Sequence, residues 1–173
     1  MPPPLPLSDW TWAWVPIVVF PVVGYCTSHA TKLSNVWTKV IQPASTPPSW
    51  VFSVVWPLIY VLFGYSVSRT ARTVVQSGVQ WNSALFLILT VVSTATNAWW
   101  MVEFSQTKTG HDQHAKHSLF ILLALSLSVS MQLHCSPDRL AGLCLVPYVV
   151  WSLFATLLNS QMIENATNVA VQI

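Results

Sequence analysis

His111, Asp112, His114 and His117 come closer than any other residues to a metal-ligand constellation. Imidazole and carboxylate are common donors to divalent metals. Along a helix, however, the first and third histidines are turned about 600° apart and share a face only in part. They also fall in a polar loop between apolar runs. The expectation is a titrating surface cluster, and no metal site is assigned.

The ten tryptophans carry a different chemistry. Trp56, Trp99, Trp100 and Trp151 fall inside apolar runs and on three separate segments, which favours an aromatic pocket over scattered packing. Each indole face can stack on a planar conjugated ligand, worth about 0.5–1.5 kcal/mol per aromatic pair beyond area burial. At helical spacing, Ser49, Phe52, Trp56 and Tyr60 share one face. Asn97 and Asn159 are amides within apolar sequence, where an unpaired amide costs several kcal/mol, so each needs a partner on another helix or on a ligand. Glu103 is expected at the membrane interface, with Lys108 close behind. There is no Ser-His-Asp arrangement, no glycine loop for phosphate and no pair of intramembrane carboxylates; five glycines leave little for nucleotide loops. Cys26, Cys135 and Cys144 read as small apolar fillers rather than a disulfide framework or zinc site.

The elements that must hold these residues follow from composition. Only 7% of the chain is charged and 53% is hydrophobic, with mean hydropathy +0.55, whereas about a quarter of a soluble domain is charged. Crossing about 30 Å of hydrocarbon takes roughly 20 apolar residues as helix. Five runs qualify, near 10–28, 49–68, 84–104, 118–134 and 140–163, so residues 1–173 are read as one all-α integral membrane domain, a bundle of five transmembrane helices. Pro2, Pro3, Pro4 and Pro6 precede Asp9 without a basic residue, unlike a secretory signal. Trp10, Trp12 and Trp14 resemble an interfacial anchor. Pro47 and Pro48 place the start of the second helix at Ser49 or Trp50, and Arg69 and Arg72 are expected to close it. Ser93, Thr94, Thr96 and Asn97 mark the third helix as a packing helix. Ser136, Pro137 and Asp138 make a tight turn. Arg69, Arg72 and Arg139 on one side against Lys32, Lys39, Lys108 and Lys116 on the other do not orient the bundle. No basic cluster for nucleic acid is present.

Two runs then resemble a known family. Pro47-Pro48-Ser49-Trp50, Trp56, Tyr60 and Gly64-Tyr65 are similar to the second-helix signature of the translocator protein family (TspO/MBR), which includes the bacterial tryptophan-rich sensory proteins. Pro147-Tyr148, Trp151, Phe154-Ala155 and Leu158-Asn159 resemble its fifth-helix run. Asn97 with Trp100 resembles the third-helix pattern, and Trp37 with Gln42-Pro43 the first loop. The resemblance implies a five-helix bundle, a homodimer, and a pocket open toward the first loop. It also implies tetrapyrrole binding, with cholesterol and synthetic benzodiazepine-type ligands in animal members. Carried over by position, the ligand residues are Ser53, Val55, Trp56, Asn97, Trp100, Trp151, Ala155 and Leu158. The sterol motif is broken: Ser160 stands where a tyrosine is needed, and no Lys or Arg follows Arg139. The prolines after the third-helix tryptophan are replaced by Met101 and Val102.

The expected function is therefore binding, sequestering or moving a tetrapyrrole (protoporphyrin or haem as ligand, not a resident cofactor) in preference to a sterol. The ring would lie against Trp56, Trp100 and Trp151, with its propionates toward Lys32 or Lys39. Two alternatives are light-dependent oxidative porphyrin breakdown at Trp56 and Trp151, and a ligand-free interaction protein packing through Gly64, Ser68, Ala141 and Gly142. The mitochondrial outer membrane is the implied location for a eukaryotic source, and another cellular membrane otherwise.

Overall fold

The computed structural model describes residues 7–32, 36, 40 and 42–171, with side chains from Val15 onward. The side chains of Trp10, Trp12 and Trp14, and Pro2, Pro3, Pro4, Pro6, Trp37 and Lys39 altogether, lie outside the described part. Among the described residues five long helices make up the fold: α1 (Leu7–Ala30), α2 (Ser49–Ser77), α3 (Trp81–Ser105), α4 (Gln113–His134) and α5 (Arg139–Val171). The last four are each long and apolar enough to cross a membrane, and α1 contributes a shorter apolar stretch, Val15–Ala30.

Helix ends follow local chemistry more than hydropathy. Pro48 is extended (φ −54°, ψ 146°) and α2 starts directly after it. It does not close at the arginines, however. It runs past Arg69 and Arg72 to Ser77 and stops where Gly78 takes φ +77°, a conformation that glycine adopts without strain. Arginine, alanine and glutamine are good helix formers, so leaving the hydrocarbon is no reason to stop. Likewise α4 begins ahead of its apolar run because Asp112 caps it: Oδ1 accepts from the Ala115 amide at 2.9 Å, and Oδ2 from those of Lys108 (2.6 Å) and Thr109 (3.0 Å). Burial pushes the Asp112 pKa up, but these three donated bonds outweigh it and hold the carboxyl below its ordinary value. At 29 and 33 residues, α2 and α5 are about 43 and 50 Å long. Pro16, Pro21, Pro57 and Pro147 lie within helices, as membrane helices tolerate.

Around the bundle the order is α1, α2, α5, α4, α3, with α3 returning to touch α2 and α1. The α1–α2 contact is the closest. A Cβ on Gly64 would lie 2.4 Å from the Pro16 carbonyl oxygen and 2.7 Å from the backbone of Ile17. The other seams are stitched by short polar side chains, as expected where lipid supplies no hydrophobic drive. Ser66 Oγ donates to the Ala141 carbonyl (2.7 Å), Ser93 and Ser128 share a bond (3.0 Å), and Gln132 Nε2 donates to Thr90 Oγ1 (2.6 Å). Asn159 Nδ2 donates to Ser118 Oγ (2.7 Å), giving that amide an interhelical partner. Phe63, Phe86, Phe104, Leu122, Leu145 and Met162 fill the centre.

At the end holding the α4–α5 turn, Arg69 Nε donates to Asp138 Oδ2, tying α2 to the turn. That donated bond keeps the Asp138 carboxyl below its ordinary range. All three cysteines are free.

Candidate functional site

Trp56 is the hub of an aromatic cluster inside the bundle. Its ring stacks on Tyr60 one turn along α2 (5.5 Å between centroids) and on Trp100 of α3 (5.9 Å). It meets Tyr148 and Trp151 of α5 edge-on, each at 6.3 Å. Trp100 stacks in turn on Phe104 (5.5 Å), and Phe52 meets the edge of Trp151 (5.5 Å). Offset-stacked and edge-to-face contacts at these distances are the favourable arrangements of aromatic rings. Three helices thus converge through their tryptophans. Trp99 does not join them: it is 61% exposed on the outer face of α3, whereas Trp100 is 5% exposed. Adjacent helical residues point about 100° apart, so only one of the two can face inward.

The cluster divides two spaces. On the α1 side lies a cavity of about 600 Å³, within the range of about 300–1,000 Å³ that holds drug-sized ligands. Its wall is the face of α2 bearing Ser49, Phe52, Ser53, Trp56 and Tyr60, with Gly24 of α1, Thr46 of the first loop and Trp100 of α3 around it. On the α5 side, Trp56, Trp100, Trp151, Ala155, Leu158 and Asn159 surround only about 20 Å³, roughly one water. The rings there pack on one another. Trp151 therefore stands behind Trp56 and not on the wall of the larger cavity. Of the positions carried over, Ser53, Trp56 and Trp100 line the larger space, while Trp56, Trp100, Trp151, Ala155 and Leu158 line the smaller one. Val55 lines neither and packs half-buried against the core.

Asn97 lines a third small space, also about 20 Å³, together with Gly24, Tyr60 and Tyr148. Its Nδ2 donates to the hydroxyls of Tyr60 (3.1 Å) and Tyr148 (2.8 Å). Tyr60 and Tyr148 were absent from the carried-over set, although Tyr60 falls one turn after Trp56 on the face already singled out. Gly24 was read only as part of the first segment. It is needed because a Cβ there would lie 2.2 Å from the Tyr60 ring.

The histidines correct one expectation, and Glu103 has partners that the sequence reading did not name. Its Oε1 lies 2.9 Å from His114 Nδ1 and 3.0 Å from His117 Nδ1, joining the end of α3 to the start of α4. Those histidines stand on α4 rather than in a loop, because the Asp112 cap starts the helix before them. Among the described residues no group of three metal-ligating side chains is placed to hold an ion.

A bundle of membrane-crossing helices enclosing a tryptophan cluster beside an apolar cavity defines a class, the multi-pass membrane proteins with an intrabundle aromatic pocket. The chain belongs to the TspO/MBR family, whose model matches residues 12–164. It is 31% identical to Protein CrtK of Rhodobacter capsulatus over 118 residues, 68% of this chain and 70% of that protein. It is 25% identical to the tryptophan-rich protein TspO of Chlorobaculum tepidum over 82% of this chain and 87% of that one. The tryptophan-rich sensory protein of Cereibacter sphaeroides is 26% identical over 77% and 78% of the two chains.

Proposed function

We propose that this protein binds a planar hydrophobic ligand of the tetrapyrrole type in the cavity between α1, α2 and the first loop, with Trp56 as its principal stacking surface. The observation that carries the reading is the single face of α2 on which Phe52, Trp56 and Tyr60 line about 600 Å³, with Trp100 stacked beside Trp56 on the same wall. Propionates would then meet the first-loop end, where Lys32 is exposed. Ser53 and Trp100 belong to the same wall. Trp151, Ala155 and Leu158 act from behind Trp56 by fixing its ring, and Asn97 acts through Tyr60.

Titrating detergent-purified protein with protoporphyrin, read by tryptophan quenching, tests this. Saturable binding is expected, and a Trp56→Ala, Trp151→Ala double variant should weaken it by about tenfold or more, the loss of at least one stacking contact with its buried area. Unchanged affinity in the folded double variant would count against this pocket. The same purification reads the homodimer that family membership leads us to propose, by its mass in detergent.

A second reading, light-driven oxidation of the bound ring, is favoured by the continuous stack of Tyr60, Trp56 and Trp100. Illumination under oxygen separates it from simple binding. A defined product that depends on Trp56 supports it, and bleaching at the same rate in Trp56→Phe removes it.

A further inference from the structure

The aromatic wall does not end at Trp56. One turn further into the bundle, Tyr60 belongs at once to the large cavity and to the small space beyond it; Gly24 and Met101 also border both. Thr27, Tyr60, Thr94, Asn97 and Tyr148, contributed by four different helices, stand around a space of about 20 Å³ whose accessible lining is almost wholly apolar, the polar atoms of Tyr60, Asn97 and Tyr148 being buried in the wall. Tyr60 lies eleven residues into α2 and Asn97 eight residues from the end of α3, so this polar spot sits about 12–16 Å inside the bundle. In a hydrocarbon core about 30 Å thick, that is near its middle.

Polar groups at that depth must be satisfied, and here the accounting does not close. Both Asn97 Nδ2 hydrogens are spent on the two phenol oxygens. Asn97 Oδ1 is buried with no donor among the described residues, and Asn97 as a whole is 4% exposed. Each phenol still carries a proton to donate. Turning the amide over would satisfy both phenols and exchange the missing donor for missing acceptors. The Thr27 and Thr94 hydroxyls are already spent on carbonyls of their own helices. As placed, the triad lacks a group that donates to Asn97 Oδ1 and accepts from the phenols; with the amide turned over it lacks only acceptors for Nδ2. A carboxylate brings charge that nothing among these neutral side chains would balance, and an ether or ketone only accepts. An alcohol meets the requirement in both orientations, and its oxygen is the size of the space.

We propose that Tyr60, Asn97 and Tyr148 form a hydroxyl-recognition site at the deep end of the cavity, taking an alcohol group on the inner edge of an otherwise apolar, planar ligand. The inference rests on the ligand reading above and deepens it: acidic groups stay at the first-loop mouth while a neutral hydroxyl points inward. Tyr60 is both stacking partner to Trp56 and first polar contact, so ring placement and hydroxyl recognition are coupled through one side chain.

Two porphyrins test this directly. Protoporphyrin and haematoporphyrin share a ring and two propionates, but haematoporphyrin carries hydroxyethyl groups on the edge opposite the propionates, where protoporphyrin carries vinyls. The quantity read is the ratio of their Kd values by tryptophan quenching, compared between wild type, Tyr60→Phe and Tyr148→Phe. Dividing the wild-type ratio by a variant ratio cancels the different solubilities of the two dyes. Each variant keeps its ring and loses only the hydroxyl, and circular dichroism with gel filtration confirms the fold. A shift of the ratio against haematoporphyrin by about 3- to 10-fold in each variant is expected, the range for one hydrogen bond. An unchanged ratio in both folded variants would mean that the triad holds only a water, and would overturn the hydroxyl site while leaving porphyrin binding intact. No saturable binding of either dye to the wild type would overturn the ligand reading and this inference with it.

Discussion

Replacing Gly64 by alanine sets two effects of opposite sign against each other. Alanine is favoured over glycine within a helix by about 0.5–1 kcal/mol. At Gly64 the added methyl would stand 2.4 Å from the Pro16 carbonyl oxygen and 2.7 Å from Ile17 N and Cα. Ordinary carbon contacts lie near 3.5–4 Å, so α1 must retreat by about an ångström. These are backbone atoms, which cannot swing aside as a side-chain tip can. Overpacking of this kind costs about 1–3 kcal/mol, and the net expectation is a loss of about 0.5–2 kcal/mol. Gly142 supplies the control. Its nearest neighbour to a new methyl is Ser136 Cβ at 3.5 Å, so Gly142→Ala should keep the propensity gain. Thermal unfolding in one detergent should then show Gly64→Ala lowered by about 1–8 °C and Gly142→Ala raised by about 1–4 °C, at about 2–4 °C per kcal/mol for a chain of this size. A Gly64→Ala protein as stable as wild type would refute the argument that α1 seats on bare backbone at that point.

Two further outcomes follow from the same geometry. Asp138 has a depressed carboxyl pKa because Arg69 donates to it. Its stabilising contribution is therefore present above the unfolded value of about 3.9 and lost as pH falls through the lower folded value. Asp138→Asn should lower the melting temperature at pH 7 and flatten the acid-side decline, and an equally steep decline in the variant would count against the ion pair. Trp99 and Trp100 should behave oppositely on truncation. Trp100→Ala should cost about 3–5 kcal/mol as a buried aromatic, whereas Trp99→Ala should stay within about 0.5 kcal/mol in thermal unfolding.

What could be read before any coordinates was set by how local the signal was. The five apolar runs, the start of α2 at Pro47-Pro48 and the shared face of Ser49, Phe52, Trp56 and Tyr60 depend on neighbours in sequence, and all reappear in the fold. The far ends of α2 and α5 were misjudged because hydropathy reports where the chain leaves lipid and not where its hydrogen-bond ladder stops. Trp99 was grouped with the interior rings because composition alone does not fix the rotation of α3. The separation of Trp151 from the large cavity was illegible, since it depends on how α5 docks behind α2. So was the bond between Glu103 and the α4 histidines, which needed the Asp112 cap to extend the helix backwards.

Tyr60 touches everything that matters at the centre of this molecule. One phenol forms the party wall between a roomy chamber and a space of about 20 Å³, rests against Trp56 on one side, and presses on a bare stretch of α1 at Gly24. Whatever fills the chamber and tilts that ring must therefore change the grip on the far compartment. Thermodynamic reciprocity then demands that an occupant of the far compartment alter the chamber's hold on its guest by the same factor.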